Sequence, residues 1–174
     1  MIFSDLDTIY NYILESHYDK LDQFNTEDIN VVLKLKFPDL SIDTCKKSII
    51  NVRTNSIEFR KDIISKYKHC PFTNLCSNIC EAAHILPYSD CIGEEKYNVN
   101  NGILLSPNLH KMFDKNYFII DEISCKLKIL YKNIRSDNID ISTLNLKEIE
   151  NMYIKQLDNP ISKKFIRRRN MLIK

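Results

Sequence analysis

Residues 81–89, EAAHILPYS, and residues 99–116, VNNGILLSPNLHKMFDKN, carry two of the chain's four histidines and one of its two glycines. Gly102 directly follows Asn101 and lies between His84 and His110. A chain this sparing with glycine uses one where the backbone must turn tightly or approach a neighbour closely, and both reasons are expected at Gly102. CEAAHIL and GILLS are apolar runs of strand length. In SPNLHKMFD, Ser106 stands as an N-cap and Pro107 at the first helical position, so a helix is expected to begin there. The order strand, loop, strand, helix puts His84 on a strand and His110 on a helix.

On that helix His110 and Asp114 are four residues apart and share a face, while Leu109 and Phe113 occupy the neighbouring face and anchor it. An imidazole and a carboxylate so placed either hydrogen-bond to one another or hold one divalent ion between them, with oxygen ligands completing its shell. His84 is a polar residue in an apolar strand ended by Pro87. It reads either as a satisfied core group or as a base, since a neutral imidazole takes a proton near neutral pH.

Outward from this stretch the chain is ordinary in composition. Its 174 residues, 44% hydrophobic with 25 basic and 23 acidic side chains, suit one domain or a compact domain with an appendage. No apolar run approaches the roughly 20 residues of a membrane span. The start, MIFSDLDTIYNYIL, has acids where a signal peptide carries basic residues, so a cytoplasmic protein without a membrane partner is expected. The six cysteines then read as reduced thiols. Cys70, Cys76, Cys80 and Cys91 are spaced too irregularly for paired CxxC ligands, although a zinc knuckle stays open as a second reading.

The expected fold class is α+β. A first helix is expected from about Asp5 to His17, a second from Thr26 to Phe37-Pro38, a third after Ser41 or Asp43, and a fourth over SIEFRKDIISKYKH. The second and third, joined by FPDLS, read either as a helix-turn-helix presenting Lys46, Lys47, Asn51 and Arg53 to DNA or as a simple packed pair. YFIID and CKLKILY look like a β-hairpin, NLKEIENMYIKQL like a further helix, and the segment after Asn159-Pro160 like a basic one. There Lys163, Lys164, Arg167, Arg168, Arg169 and Lys174 stand without an acid, a composition that suits phosphate contacts or a solvated helix end.

CPFTN, CEAAHILP, NGILL and LHKMFD, in that order, resemble the HNH endonucleases, in the branch written C-x-x-T-G, L-E-A-A-H-I-x-P, N-G-x-x-L and L-H-x-x-F-D. The resemblance covers about residues 60–125. It implies a ββα-metal finger with an added β-hairpin, flanked by an N-terminal helical region (1–56) and, within a nuclease domain over 57–174, by C-terminal helices. It further implies His84 as general base, Asn101 as the amide that ties the loop and orients His84, His110 as metal ligand and Asp114 as a further ligand. Magnesium or manganese is the expected ion, with zinc or nickel tolerated. Double-stranded DNA is the implied substrate; the helix-turn-helix reading and the basic segment around such a unit suggest a small restriction-type enzyme, and cutting both strands suggests a homodimer. Two other classes stay open: a DNA-binding protein with a degenerate, non-hydrolytic HNH fold, and a zinc-stabilised interaction module.

Two positions depart from the family pattern. Ala83 stands where many members carry Asp or His as another ligand, and Asn74 stands where the branch has Gly. Glu81 alternates with His84 along the strand, points away from it, and is read as structural. Asp90, Glu94 and Glu95 in the intervening loop are further candidates for the metal.

Overall fold

The computed structural model describes residues 42–173, with side chains from residue 55 onward. The helices expected before residue 42, and the side chains of Lys46, Lys47 and Arg53, lie outside the described residues. The chain divides into two compact units, Met1–Ile57 and Glu58–Lys174. In chain order the described elements are α1 (Ile42–Tyr67), β1 (Glu81–His84), β2 (Gly102–Leu105), α2 (Pro107–Asp114), β3 (Phe118–Ile120), β4 (Leu127–Ile129), α3 (Tyr131–Ser136) and α4 (Pro160–Leu172), joined by loops and short 3-10 turns. Helices beside two small antiparallel sheets make the described part α+β.

The two helices expected on either side of Thr54-Asn55-Ser56 are one, α1. That tripeptide favours caps, but the stretch from Ile42 to Tyr67 has no Gly or Pro to interrupt a helix. The face of α1 formed by Phe59, Ile63 and Tyr67 is buried in the second unit.

Strands β1 and β2 pair antiparallel, Glu81 opposite Leu105 and His84 opposite Gly102. All of β2 is buried, so Ile103, Leu104 and Leu105 are apolar without alternation. At Gly102 only one of the two expected reasons holds. Its φ of −126° and ψ of 152° are those of any strand residue, so no turn demands glycine. The close approach does: a Cβ there would stand 2.2 Å from Ile63 Cδ1 and 2.8 Å from Phe59 Cζ. Asn74, in contrast, does take a left-handed backbone, with φ 56°, a region Asn tolerates well.

Helix α2 begins as expected, with Ser106 at the N-cap and Pro107 in the first turn. The Ser106 hydroxyl makes no capping bond, although its carbonyl accepts the first helical bond from His110 N–H at 2.9 Å. Leu109 and Phe113 are its buried residues. The β3–β4 hairpin pairs Phe118 with Ile129, and its turn is held by Asp121, whose carboxylate accepts from Ser124 N–H and Oγ and from Lys128 Nζ.

The helix expected over NLKEIENMYIKQL does not form. Short 3-10 turns, Leu146–Glu148 and Lys155–Leu157, stand there, and Asn145 and Asn151 take left-handed φ values of 53° and 66°. The backbone bonds to the β4 strand instead: Asn151 N–H donates to Leu127 O, Leu127 N–H to Met152 O and Ile154 N–H to Cys125 O. Buried Leu146, Ile149, Ile154 and Leu157 do share one helical face by spacing, so the pairing with β4, not the apolar pattern, decides against a helix. Helix α4 follows, capped by Asn159 Oδ1, which accepts Ser162 N–H at 2.9 Å, and it buries Ser162, Phe165, Ile166 and Arg169.

Replacing Gly102 with Ala forces a methyl group into Ile63 and Phe59 and is expected to destabilise the domain by about 1–3 kcal/mol. Denaturant unfolding of Gly102→Ala, and of Gly102→Ala with Ile63→Val, measures this; the pair should lose less than the two single changes summed. Simple additivity would show that the contact with Ile63 is not what excludes a side chain.

Candidate active site

His84 closes β1 and its ring is fixed on three sides. It stacks on Phe59 with centroids 4.5 Å apart and planes 9° from parallel, and meets the Tyr88 ring edge-on at 5.5 Å. Its Nε2 lies 2.7 Å from the Lys96 carbonyl oxygen. A carbonyl only accepts, so Nε2 carries the proton and Nδ1 keeps the lone pair. Burial pushes the pKa of the ring below its ordinary 6.5, and the nearby His110 adds to that push against the bond to Lys96. His84 is therefore held neutral, with one nitrogen committed and the other available as a base.

The Lys96 carbonyl is itself held in place. Asn101, fully buried, accepts Leu86 N–H at 2.8 Å through Oδ1, and its Nδ2 donates toward Leu86 O, Glu95 O and Cys91 Sγ. One amide thus joins the start of the loop at Leu86 to Glu95, the residue before Lys96. Its backbone carbonyl also accepts Ile85 N–H at 2.8 Å, continuing the pairing of β1 and β2. From the other side Arg168 of α4 grips the Glu95 carboxylate with contacts of 2.7 and 2.8 Å and donates to Asp90 O at 3.0 Å. Arg168 holds the Glu95 carboxyl below the usual carboxylate range.

On α2, His110 stands between two carboxylates. Nδ1 is 2.6 Å from Glu81 Oε2, and Nε2 is 3.6 Å from Asp114 Oδ2. With Nδ1–H donated to Glu81, Nε2 is an acceptor 3.6 Å from the Asp114 oxygen, and a cation can satisfy two such acceptors. Their separation can be bridged by two metal bonds of roughly 2.1 Å. A carboxylate behind a ligating imidazole also fixes its tautomer and ring orientation. Among the described residues no group of three or more His, Cys, Asp or Glu is placed to hold an ion, so His110 and Asp114 would leave most positions to water and substrate.

Residues 64–121 match the family described as HNH endonuclease. The matched segment is 58 of the chain's 174 residues. It contains β1, the loop, β2, α2 and β3, and with them Glu81, His84, Asn101, His110 and Asp114. No curated protein matches the chain. Nucleases of the HNH family act on nucleic acid and generally use a divalent ion, and the nitrogen and oxygen donors on α2 fit one.

Several expectations need correction. Arg169, expected among the DNA contacts, is 5% exposed and bonded to backbone inside the domain. Glu95, expected near the metal, is engaged by Arg168, and Asp90 accepts from Ser89 Oγ at 3.2 Å; nothing in the structure directs Glu94 toward the α2 pair. Lys163 pairs with Asp158, Arg167 with Glu122 at 3.2 Å and Lys164 stands 4.0 Å from Glu95. Lys164 and Arg167 nonetheless keep about two thirds of their side chains exposed (67% and 68%). Of the cysteines, Cys91 accepts from Asn101, Cys70 and Cys80 are buried, and Cys76 is exposed.

The sequence reading of Glu81 as structural misses a contact. Its carboxylate reaches His110 Nδ1 at 2.6 Å. The apolar Ala82–Ala83 gave no hint, whereas a helix packed on the strand would have. Removing this carboxylate, Glu81→Ala, is expected to weaken manganese binding about 10–100-fold while the fold persists. Calorimetric titration with Mn²⁺ decides it; unchanged affinity would mean that Glu81 does not orient the ligand.

Proposed function

We propose that this chain is a divalent-metal-dependent endonuclease that hydrolyses DNA phosphodiester bonds, built on a ββα-metal finger formed by β1, β2 and α2, and that it acts as a small site-specific restriction-type enzyme. The observation that carries this reading is the bond from His84 Nε2 to the Lys96 carbonyl. It leaves Nδ1 as a free base close enough to His110 for their charges to interact.

In this reading His84 Nδ1 takes the proton of a water, which attacks phosphorus in line with the departing 3′ oxygen. Asn101 acts through the loop, keeping the Lys96 carbonyl where it fixes the His84 ring. His110 Nε2 and Asp114 would hold the ion, with Glu81 behind His110. A bound divalent ion supplies neutralisation of charge on the phosphate oxygens. Breaking the bond to the 3′ oxygen gives 5′-phosphate and 3′-hydroxyl ends. Exposed Lys164 and Arg167 are the tail residues available for phosphate contact, joined by Lys163 when Asp158 releases it. A homodimer on a palindromic site supplies the two centres that double-strand cutting needs.

A second reading, a DNA-binding protein without hydrolysis, draws on Ala83 and the two-residue donor set. Plasmid incubated with the protein and Mn²⁺ separates the two: linearised or nicked product supports the enzyme, and a gel shift with intact plasmid supports the binder.

His84→Ala is expected to lower cleavage about 10²–10⁴-fold with DNA affinity preserved. The pH profile follows from the sign of the shift. A base whose pKa is depressed stays unprotonated to lower pH, so the wild-type rate should be level from pH 8 down past 6.5 and fall only in more acid solution. A rate that climbs through pH 7–8 would assign the proton transfer to another group.

A further inference from the structure

We propose that Arg169 is a positioning residue that sets the separation between His84 and the His110–Asp114 pair. Its fork spans the two halves of the site. Nη1 donates to Ile85 O at 3.0 Å, in the residue that follows His84. Nη2 donates to Phe113 O at 2.6 Å, in the residue that precedes Asp114, and to Asn116 Oδ1 at 2.9 Å, just beyond α2. The guanidinium lies 3.7 Å from the centroid of the Phe113 ring. A single rigid, planar group therefore ties the end of the base-bearing strand to the end of the ligand-bearing helix. Lysine, a point donor on a flexible stem, cannot hold both carbonyls at fixed spacing.

Stability alone does not explain the choice. Arg169 is buried, its Nε has no hydrogen-bond partner, and burial pushes its pKa down to about 10 against the favourable pull of Asp114. A buried guanidinium is costly to desolvate, and here three hydrogen bonds offset that cost while Nε stays unpaired. What an apolar side chain cannot do is hold Ile85 and Phe113 together. Helix α4 supports the same arrangement nearby, where Ser162 Oγ donates to Asn100 O at 3.0 Å beside Asn101.

The inference rests on the nuclease reading for its consequence in rate, but its geometry can be tested apart from cleavage. Wild type and Arg169→Lys would be compared in three measurements below the melting temperature of both: the single-turnover rate at saturating DNA and Mn²⁺, DNA affinity, and the relaxation that bound Mn²⁺ imposes on the His84 ring protons. The expected result is a rate at least about 10-fold lower, in line with the cost of a small misplacement. DNA affinity should stay within about twofold, and the Mn²⁺ effect on His84 should be altered. A folded variant with wild-type rate and wild-type relaxation overturns the proposal, whatever its loss of melting temperature.

If Arg169→Lys does not fold, Asn116→Gly serves. Asn116 has φ 53°, which glycine adopts freely, and the change removes one acceptor of the fork. A lower rate at unchanged DNA affinity, with altered relaxation, supports the proposal; no change in either refutes it. Wild type that cuts no DNA refutes the nuclease reading, and the relaxation comparison then decides the role of Arg169 by itself.

Discussion

A carbonyl oxygen cannot donate, and the candidate site depends on that fact at Lys96. Its oxygen, 2.7 Å from His84 Nε2, determines which ring nitrogen carries the proton and so which one is left basic. The surroundings hold one or the other end of this bond. Phe59 stacks on the ring. Gly102, opposite His84, admits Phe59 and Ile63 to van der Waals distance of the strand. Asn101 and the Arg168–Glu95 pair fix the loop that brings the carbonyl round.

The half of the site proposed to hold the ion follows the opposite plan. Where His84 is enclosed, His110 and Asp114 offer a sparse donor pair at the surface, with Glu81 behind the imidazole. An ion held by so few protein groups depends on water and phosphate oxygens for the rest of its shell. Binding of metal and of substrate should accordingly be linked, each improving the other. The positive tail contributes less free charge than its composition suggests. Arg168 and Arg169 are spent on the architecture of the domain, and Lys163 and Arg167 have acidic neighbours.

Local signals in the sequence were strong where short-range chemistry decides the outcome. Ser106-Pro107 starts α2, the apolar runs around His84 and after Gly102 form β1 and β2, and Phe118–Ile129 folds back as a hairpin. Legibility failed where a distant partner decides. NLKEIENMYIKQL has helical periodicity in part, yet the backbone of β4 captures it, and two asparagines take the left-handed turns this needs. KKFIRRR gives no indication that Arg169 faces inward, because the carbonyls it serves lie 56 and 84 residues earlier in the chain. Alternation along β1 gives no hint that the Glu81 carboxylate meets His110. The roles assigned to His84, Asn101, His110 and Asp114 came from motif resemblance; the structure adds the bonds through which they would act.

The most direct test of the account is the protonation of the His84 ring, read by ¹⁵N NMR of histidine-labelled protein at pH 7. A neutral ring with the proton on Nε2 and an unprotonated Nδ1 is predicted. A ring protonated on Nδ1 alone, or on both nitrogens, would contradict it, because the nitrogen assigned to take the proton of water would already be occupied.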